Sequence, residues 1–293
     1  MAVLTAQGIS SLAIELLTRS LVLPNTVARI PGGEFAGHNG DTITVRVPQP
    51  GSARTQTTRG ATITYDDVDE VPVEVTLAHL YHGKLTSDEE MSLDLENFAR
   101  QVTRVQVAAV ATGGEDELAG AMNALAADAS FDLADSVDDT RDKILTAREF
   151  LGDNNAPPGD RWFAVSPDIA TRVLKLLGER ETANTDSALR EAVIGRLYGF
   201  TFVESNALDS GTAVAYHRSG FAFANRVPVA PRGANDSATA NSGGIGLRQV
   251  FQYVPDSLSD ASVVSTFAGA SAVWDNEAGS DNQRFYKFDT SET

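Results

Sequence analysis

Two runs of strict alternation separated by a polar stretch constrain this chain most. In TITVRVP (42–48) Ile43, Val45 and Val47 alternate with Thr44 and Arg46, and Val71, Val73, Val75 and Leu77 alternate again over 71–77. A period of two puts each apolar set on one face of a strand. Between the runs lies polar, turn-prone QPGSARTQTTRG, followed by ATITY. The pattern predicts a long β arm, out along 42–48 and back through 61–80, with a flexible tip near 49–60. Two or three strands with a polar tip have little core of their own. The expectation is that the arm cannot satisfy its apolar face inside one subunit and borrows a neighbour's surface.

The flanking segments pose the same problem. ISSLAIELLTRSL (9–21) places Ile9, Leu12 and Leu16 on one side of a short helix that Pro24 stops, and such a helix needs something to lie on. Ser87 followed by Glu90 is a capping-box signal, and Met91, Leu95, Phe98, Val102, Val105 and Ala109 recur at helical steps. This predicts a long spine helix over 88–112, ended or bent at Gly113 and Gly114, with a shorter continuation carrying Leu118, Met122 and Leu125.

A second unit opens near Ser136. It reads as a helix to Leu151 with Ile144, Ala147 and Leu151 inward, then the strand RWFAVS. A helix follows that starts at Ser166, Pro167 and Asp168 and buries Ile169, Val173 and Leu176. A further helix over 186–194 feeds RLYGFTFVESNAL (196–208), where Tyr198, Phe200 and Phe202 mark a core strand, and strands follow at 212–218 and 221–229. Residues 232–244 read as a mobile loop. Beyond it, IGLRQVFQYV and ASVVSTFAG flank PDSLSD as a long antiparallel pair returning to the spine helix. Helices and strands interleave, so the fold class is α+β.

Chemistry is sparse. With no cysteine there are no disulfides and no thiolate chemistry. His79 and His82, three apart on an alternating stretch, face opposite ways and do not suggest a metal site. Asp66, Asp67, Asp69 and Glu70 lack the glycine and closing glutamate of a calcium loop. No phosphate loop or nucleophile elbow occurs, and Ser166, His217 and Asp168 form only the kind of Ser-His-Asp set that any chain of this size offers. No catalytic, cofactor or metal residue is expected. The net charge of −17 disfavours wrapping nucleic acid, no apolar run of about 18 residues crosses a bilayer, and no basic start with an unbroken apolar segment suggests secretion. The charge is uneven: Arg46, Arg54 and Arg59 dominate 40–60, while 105–140 holds no Lys or Arg. Opposite patches of this kind can meet between copies.

The ordered series PPGDRWFAVSPDIATRVL (157–174), AVIGRLYGFTFVESNAL (192–208), TAVAYHRSGFAFANRVPVAP (212–231) and GLRQVFQYVPDSLSDASVVSTFAGASAVW (246–274), preceded by arm, hairpin and long helix, resembles the major capsid proteins of tailed bacteriophages with the HK97-type fold. The resemblance implies an N-terminal arm at 1–37 and an extended β loop at 38–82. A peripheral domain with the spine helix would begin at 83–135, an axial domain would occupy 136–244, and 245–293 would supply return strands and a C-terminal tail. It implies pentamers and hexamers of an icosahedral shell that encloses double-stranded DNA without reading its sequence, in a virion capsid assembled in the cytoplasm of a bacterial host.

The partners implied are further copies of the chain, a portal and room for a decoration protein. A separate scaffolding protein is also expected, because only about 40 residues precede the loop strand. In such a shell Arg54 and Arg59 would pair with Glu89, Glu90 and Asp94 of a neighbour. Leu12, Leu16, Ile43, Val45 and Val73 would supply apolar contact between subunits. The tip carries no lysine from Gln49 to Gly60, so no lysine–asparagine crosslink between subunits is expected. Two other readings compete: a hydrolytic or carbohydrate-acting α+β enzyme with paired carboxylates, and an encapsulin-like nanocompartment shell.

Overall fold

The structure, a computed structural model, describes residues 23–30, 40–48, 51, 53–60, 62–65, 67, 70–90, 102–131, 136–178, 195–233, 236–242, 245–276 and 283–290. The expected helices at 9–21 and 186–194, and the acidic positions Asp66 and Asp69, lie outside these residues.

Among the described residues two six-stranded sheets and one hairpin carry the fold. The first sheet is organised by β13 (Ser259–Ala272), long enough to serve several partners. Its first half is flanked by β12 (Ile245–Val254) and β4 (Ala78–Ser87), and its second half pairs with β10 (Phe221–Arg226). β1 (Ala28–Ile30) closes one side and β11 (Asp236–Ser242) the other. Helix α1 (Arg104–Asn123) packs on β13 and β4.

The second sheet runs β5 (Ala129–Ser130), β14 (Phe285–Asp289), β9 (Ala213–His217), β6 (Arg161–Val165), β8 (Phe200–Glu204) and β7 (Arg196–Leu197). Helices α2 (Val137–Asp153) and α3 (Pro167–Gly178) cover one face. Alternation along each strand divides the core. Phe163, Val165, Ala213 and Ala215 face Ile144, Leu151, Ile169 and Val173 of the helices. Ala164, Val214 and Tyr216 face the other way, into a core shared with Leu118 and Met122 of α1 and with Phe221 and Phe223 of β10. The phenylalanines of β10 thus enter the core between the sheets. Ala222 and Ala224, on its other face, leave room for a close neighbour.

That neighbour is the hairpin of β2 (Thr42–Pro48) and β3 (Glu70–Thr76), seven residue pairs in antiparallel register. Ile43, Val47, Val71, Val73 and Val75 are buried against Ala222, Ala224 and Val273. Each such side chain stabilises by about 1.5–3 kcal/mol when fully buried. The arm therefore satisfies its alternating face within its own chain, contrary to the sequence expectation. Gly269 makes the fit feasible, because a Cβ there would stand 2.1 Å from the Thr76 carbonyl oxygen.

Other expectations are corrected in the same way. The arm returns at Glu70, and residues 62–65 are not in a strand. α1 runs unbroken through Gly113 and Gly114, because Val110, Ala111, Leu118 and Met122 anchor it on either side of the pair. Its inward stripe is Gln106, Val107, Val110, Ala111 and Gly114, while Val105 and Ala109 are exposed. Residues 236–242 form β11, whose backbone pairs along β12 in place of the expected loop. Tyr198 sits at positive φ beside Gly199 in the β7–β8 turn, outside the strand core. The expected boundaries also shift. β10 and β11, placed in the axial unit at 136–244, belong to the first sheet, and β14, placed among the return strands of 245–293, belongs to the second. The capping box at Ser87 and Glu90, the inward residues of α2 and α3, and the antiparallel β12–β13 pair stand as expected.

Candidate assembly interface

The outward face of the hairpin is polar: Thr44, Arg46, Glu70, Glu74 and Thr76 alternate with the buried set. Arg46 reaches Glu70 at 3.3 Å across the hairpin, with the Arg46 side chain 73% and the Glu70 side chain 37% exposed, so the pair contributes under about 1 kcal/mol. Of the apolar contacts expected between subunits, Ile43 and Val73 are buried in their own chain and Val45 is half-buried. The first sheet of the same chain already covers them. Leu12, Leu16 and Asp94 lie outside the described residues.

Beyond Pro48 the chain changes character. Every described residue from 51 to 65 is exposed, Arg54 and Arg59 included, and two apolar side chains stand in solvent, Ile63 at 56% and Tyr65 at 82% exposure. Opposite charge gathers where β4 leaves the first sheet. Asp88, Glu89 and Glu90 are exposed there. Glu90 also accepts from the Ser87 amide at 3.0 Å, so part of its carboxylate serves to start the helix. The Asp88 amide donates to the Leu258 carbonyl at 3.0 Å, which brings the turn carrying exposed Asp256 alongside. The structure thus keeps Arg54 and Arg59 at the loop tip and Glu89 and Glu90 at the helix start, and it records no contact between the two sets inside one chain.

Conventional active-site chemistry finds little support. One open cleft of ≈ 540 Å³ is lined by Pro48, Asn155, His217, Ser219, Asp275 and Arg284 among others. Among the described residues Asp275 is its one lining carboxylate, and Arg284 holds it at 2.9 Å, so these residues offer no acid and base pair of the kind glycoside cleavage uses. Nδ1 of His217 accepts from the Ser219 amide at 3.3 Å and lies 2.9 Å from the Ser219 hydroxyl. Arg284 donates to the same hydroxyl at 3.3 Å. This is a cap on the 3-10 turn Arg218–Gly220. Burial, chiefly, lowers the His217 pKa, with Arg284 and Arg161 adding to it against Asp160. Ser166 adjoins Thr212 and His217 adjoins Arg161 along the β6–β9 pairing, about 17 Å apart at strand spacing, so the Ser-His-Asp set does not assemble. Among the described residues no group of three His, Asp or Glu side chains could hold a metal ion. His79 stacks on Phe267 at 4.5 Å between ring centres. No described helix is long and apolar enough to cross a membrane.

No family model and no curated protein matches the sequence. Solved structures do match the fold. A structure from Mycobacterium phage Che8 superposes with a TM-score of 0.63 at 21% identity, covering 92% of this chain and 90% of that one. The capsid structure of the cyanophage P-SCSP1u gives 0.64 at 13% identity over 93% and 89%. The chain has the HK97-type capsid fold. A virus-like particle from Pyrococcus furiosus is also similar, with a TM-score of 0.58 at 12% identity over 96% of this chain and 97% of that one. Sequence reasoning passed over Ile63 and Tyr65, because they fall in the irregular stretch between two regular strands. The signal was present in ATITY, an apolar and aromatic pair with no element to bury it.

Proposed function

We propose that the chain is a major capsid protein that assembles into pentamers and hexamers of an icosahedral shell around double-stranded DNA. The observation that carries this reading is the fold itself, matched over 92–93% of the chain by the Che8 and cyanophage structures. The exposed loop tip and the acidic start of the spine supply opposite charges for neighbours. Arg54 and Arg59 pair with Glu89, Glu90 and Asp94 of an adjacent copy, setting register more than strength. The acidic surplus of 40 against 23 basic residues suits a wall that contains DNA without adhering to it. A separate scaffolding protein and a portal are the further partners, with room for a decoration protein, and the virion capsid, assembled in the host cytoplasm, is the location. The role is structural, with no catalytic step.

Electron microscopy of the purified assembly tests the reading: closed particles of uniform diameter are expected, and a protein that stays monomeric at high concentration refutes it. Reversal of both tip arginines (Arg54→Glu with Arg59→Glu) is expected to give capsomers that fail to close or shells that open sooner. Unchanged assembly and heat resistance would remove the charge pairing. A second reading, a protein-filled compartment, draws on the likeness to the Pyrococcus furiosus particle. The contents of purified particles separate the two, nucleic acid for a virus head and a cargo protein for a compartment.

A further inference from the structure

The two sheets exchange chain at a joint where two crossings touch. β9 leaves the second sheet at His217 and β10 enters the first at Phe221, with the 3-10 turn Arg218–Gly220 between them. β13 of the first sheet and β14 of the second are linked past Asp275 and Arg284. The crossings are tied backbone to backbone: the His217 amide donates to the Arg284 carbonyl at 2.9 Å, and the Val273 amide to the Gly220 carbonyl at 2.9 Å. The fit is close, because a Cβ at Gly220 would stand 2.9 Å from the Arg284 carbonyl oxygen. Side chains complete the joint. Arg284 donates to Asp275 at 2.9 Å and to the Ser219 hydroxyl at 3.3 Å, and the second Asp275 oxygen accepts from the Gln283 amide at 3.0 Å.

One imidazole closes the turn. Nδ1 of His217 accepts from the Ser219 amide at 3.3 Å and lies 2.9 Å from the Ser219 hydroxyl. To accept, Nδ1 must carry no proton. Protonated, it is a donor facing a donor: the hydroxyl can rotate to receive it, but the amide cannot. The open cleft of ≈ 540 Å³, lined by His217, Ser219, Asp275, Gln283 and Arg284 among others, gives solvent a way to the joint. We infer that the Arg218–Gly220 turn is a latch released by acid, in which protonation of His217 Nδ1 opens the turn and loosens the joint while the cores on either side stay packed.

The charges around the ring set the direction. β6 presents Asp160 and Arg161, β14 presents Arg284, the turn itself carries Arg218, and Arg284 takes up Asp275. Asn154 and Asn155, across the cleft, bring no charge. Burial chiefly, then Arg284 and Arg161, oppose a proton on the ring against the attraction of Asp160. The closed turn therefore keeps the imidazole neutral. An open turn returns the ring to water, where it binds a proton more readily, so the open form gains as pH falls through 6.5. Tyr216, Phe221, Phe285 and Trp274 stack in series beside the joint. None of these four changes charge in this range, which confines the opening to the turn and its crossing.

Amide hydrogen exchange on the full-length chain, corrected for the intrinsic rate at each pH, reads the latch. The reporters are the amides of Ser219 and Val273, and the reference is the Ala170 amide, bonded to the Ser166 carbonyl at the start of α3. From about pH 7.5 to about pH 5, protection of both reporters is expected to fall at least about tenfold while that of Ala170 holds. The midpoint should coincide with the titration of the His217 ring nitrogens followed by NMR. His217→Asn, which accepts without titrating, should keep the neutral-pH protection throughout. Protection that ignores pH, that falls as steeply in His217→Asn, or that falls equally at Ala170 overturns the inference. Should the variant not fold, the wild type still decides, because a loss of protection at a pH away from the ring's own titration counts against the latch.

Discussion

Neutralising Lys287, a buried cation in β14, should be costly. Its side chain is buried, with Nζ 2.8 Å from the Asn123 carbonyl and 2.9 Å from the Leu125 carbonyl, the groups left over where α1 ends. The Asp289 carboxylate is 3.3 Å away but 40% exposed. Lys287→Met keeps most of the stem's volume and removes only the ammonium. Two charge-assisted bonds to buried carbonyls, each about 1.5 kcal/mol net, predict a loss of roughly 3 kcal/mol. The solvated partner adds under about 1 kcal/mol. For a chain of this size that loss lowers the melting temperature by about 6 °C. Thermal and urea unfolding of the unassembled subunit are the assays, with Asp289→Asn as the comparison, expected within about 1 kcal/mol of wild type. If Lys287→Met unfolds within about 0.5 kcal/mol of wild type, or if Asp289→Asn costs as much as Lys287→Met, the ammonium does not staple β14 to the spine helix.

Gly269→Ala drives a Cβ to 2.1 Å from the Thr76 carbonyl and is expected to cost about 1–3 kcal/mol in urea unfolding, whereas Gly233→Ala, with nothing within 4 Å, should be near neutral. Gln106→Leu strips partners from Ser262 at a fully buried helix–sheet contact; a loss of about 1–3 kcal/mol is expected, and an unchanged urea midpoint would refute it. His217 is neutralised more readily folded than unfolded, because burial lowers its pKa below the ordinary 6.5. The unfolded chain then binds the extra proton, so this contribution is present above pH 6.5 and is lost as pH falls through 6.5 towards the folded value. His217→Asn, which keeps an acceptor for the turn, should flatten the stability–pH curve below 6.5, and an unaltered curve counts against the assignment.

What could be read in advance was whatever one chain segment decides for itself. The cap at Ser87, the inward stripes of α2 and α3 and the alternation of β2 and β3 are local, and the structure has them. The errors arose where a distant partner overrides a local signal. Two glycines read as a helix end, but α1 is held by packing on both sides of them. A run of small polar residues read as a loop, but the backbone of β12 offered DSATANS a ladder. The inward stripe of α1 was drawn through Val105, but a glutamine takes that side because Ser262 and the His82 carbonyl satisfy its amide. Polarity in the sequence marks exposure only until a partner is counted.

The same distinction governs the interface. Alternation in the arm announces a buried face without saying whose surface buries it, and Ala222 and Ala224 of the same chain supply that surface. Their small size was visible in FAFANR, yet only the parallel and antiparallel pairings of β10 turn them toward the hairpin. Once the regular strands are satisfied internally, what remains for a neighbour must lie where regularity fails. Ile63 and Tyr65 stand in that stretch, 56% and 82% exposed, at a cost in apolar hydration that the subunit alone does not recover. Assembly recovers it only if the surface that receives the pair is equally exposed in the free subunit. The arm is therefore better understood in two parts: a base that belongs to its own core, and a tip whose apolar pair has no place there.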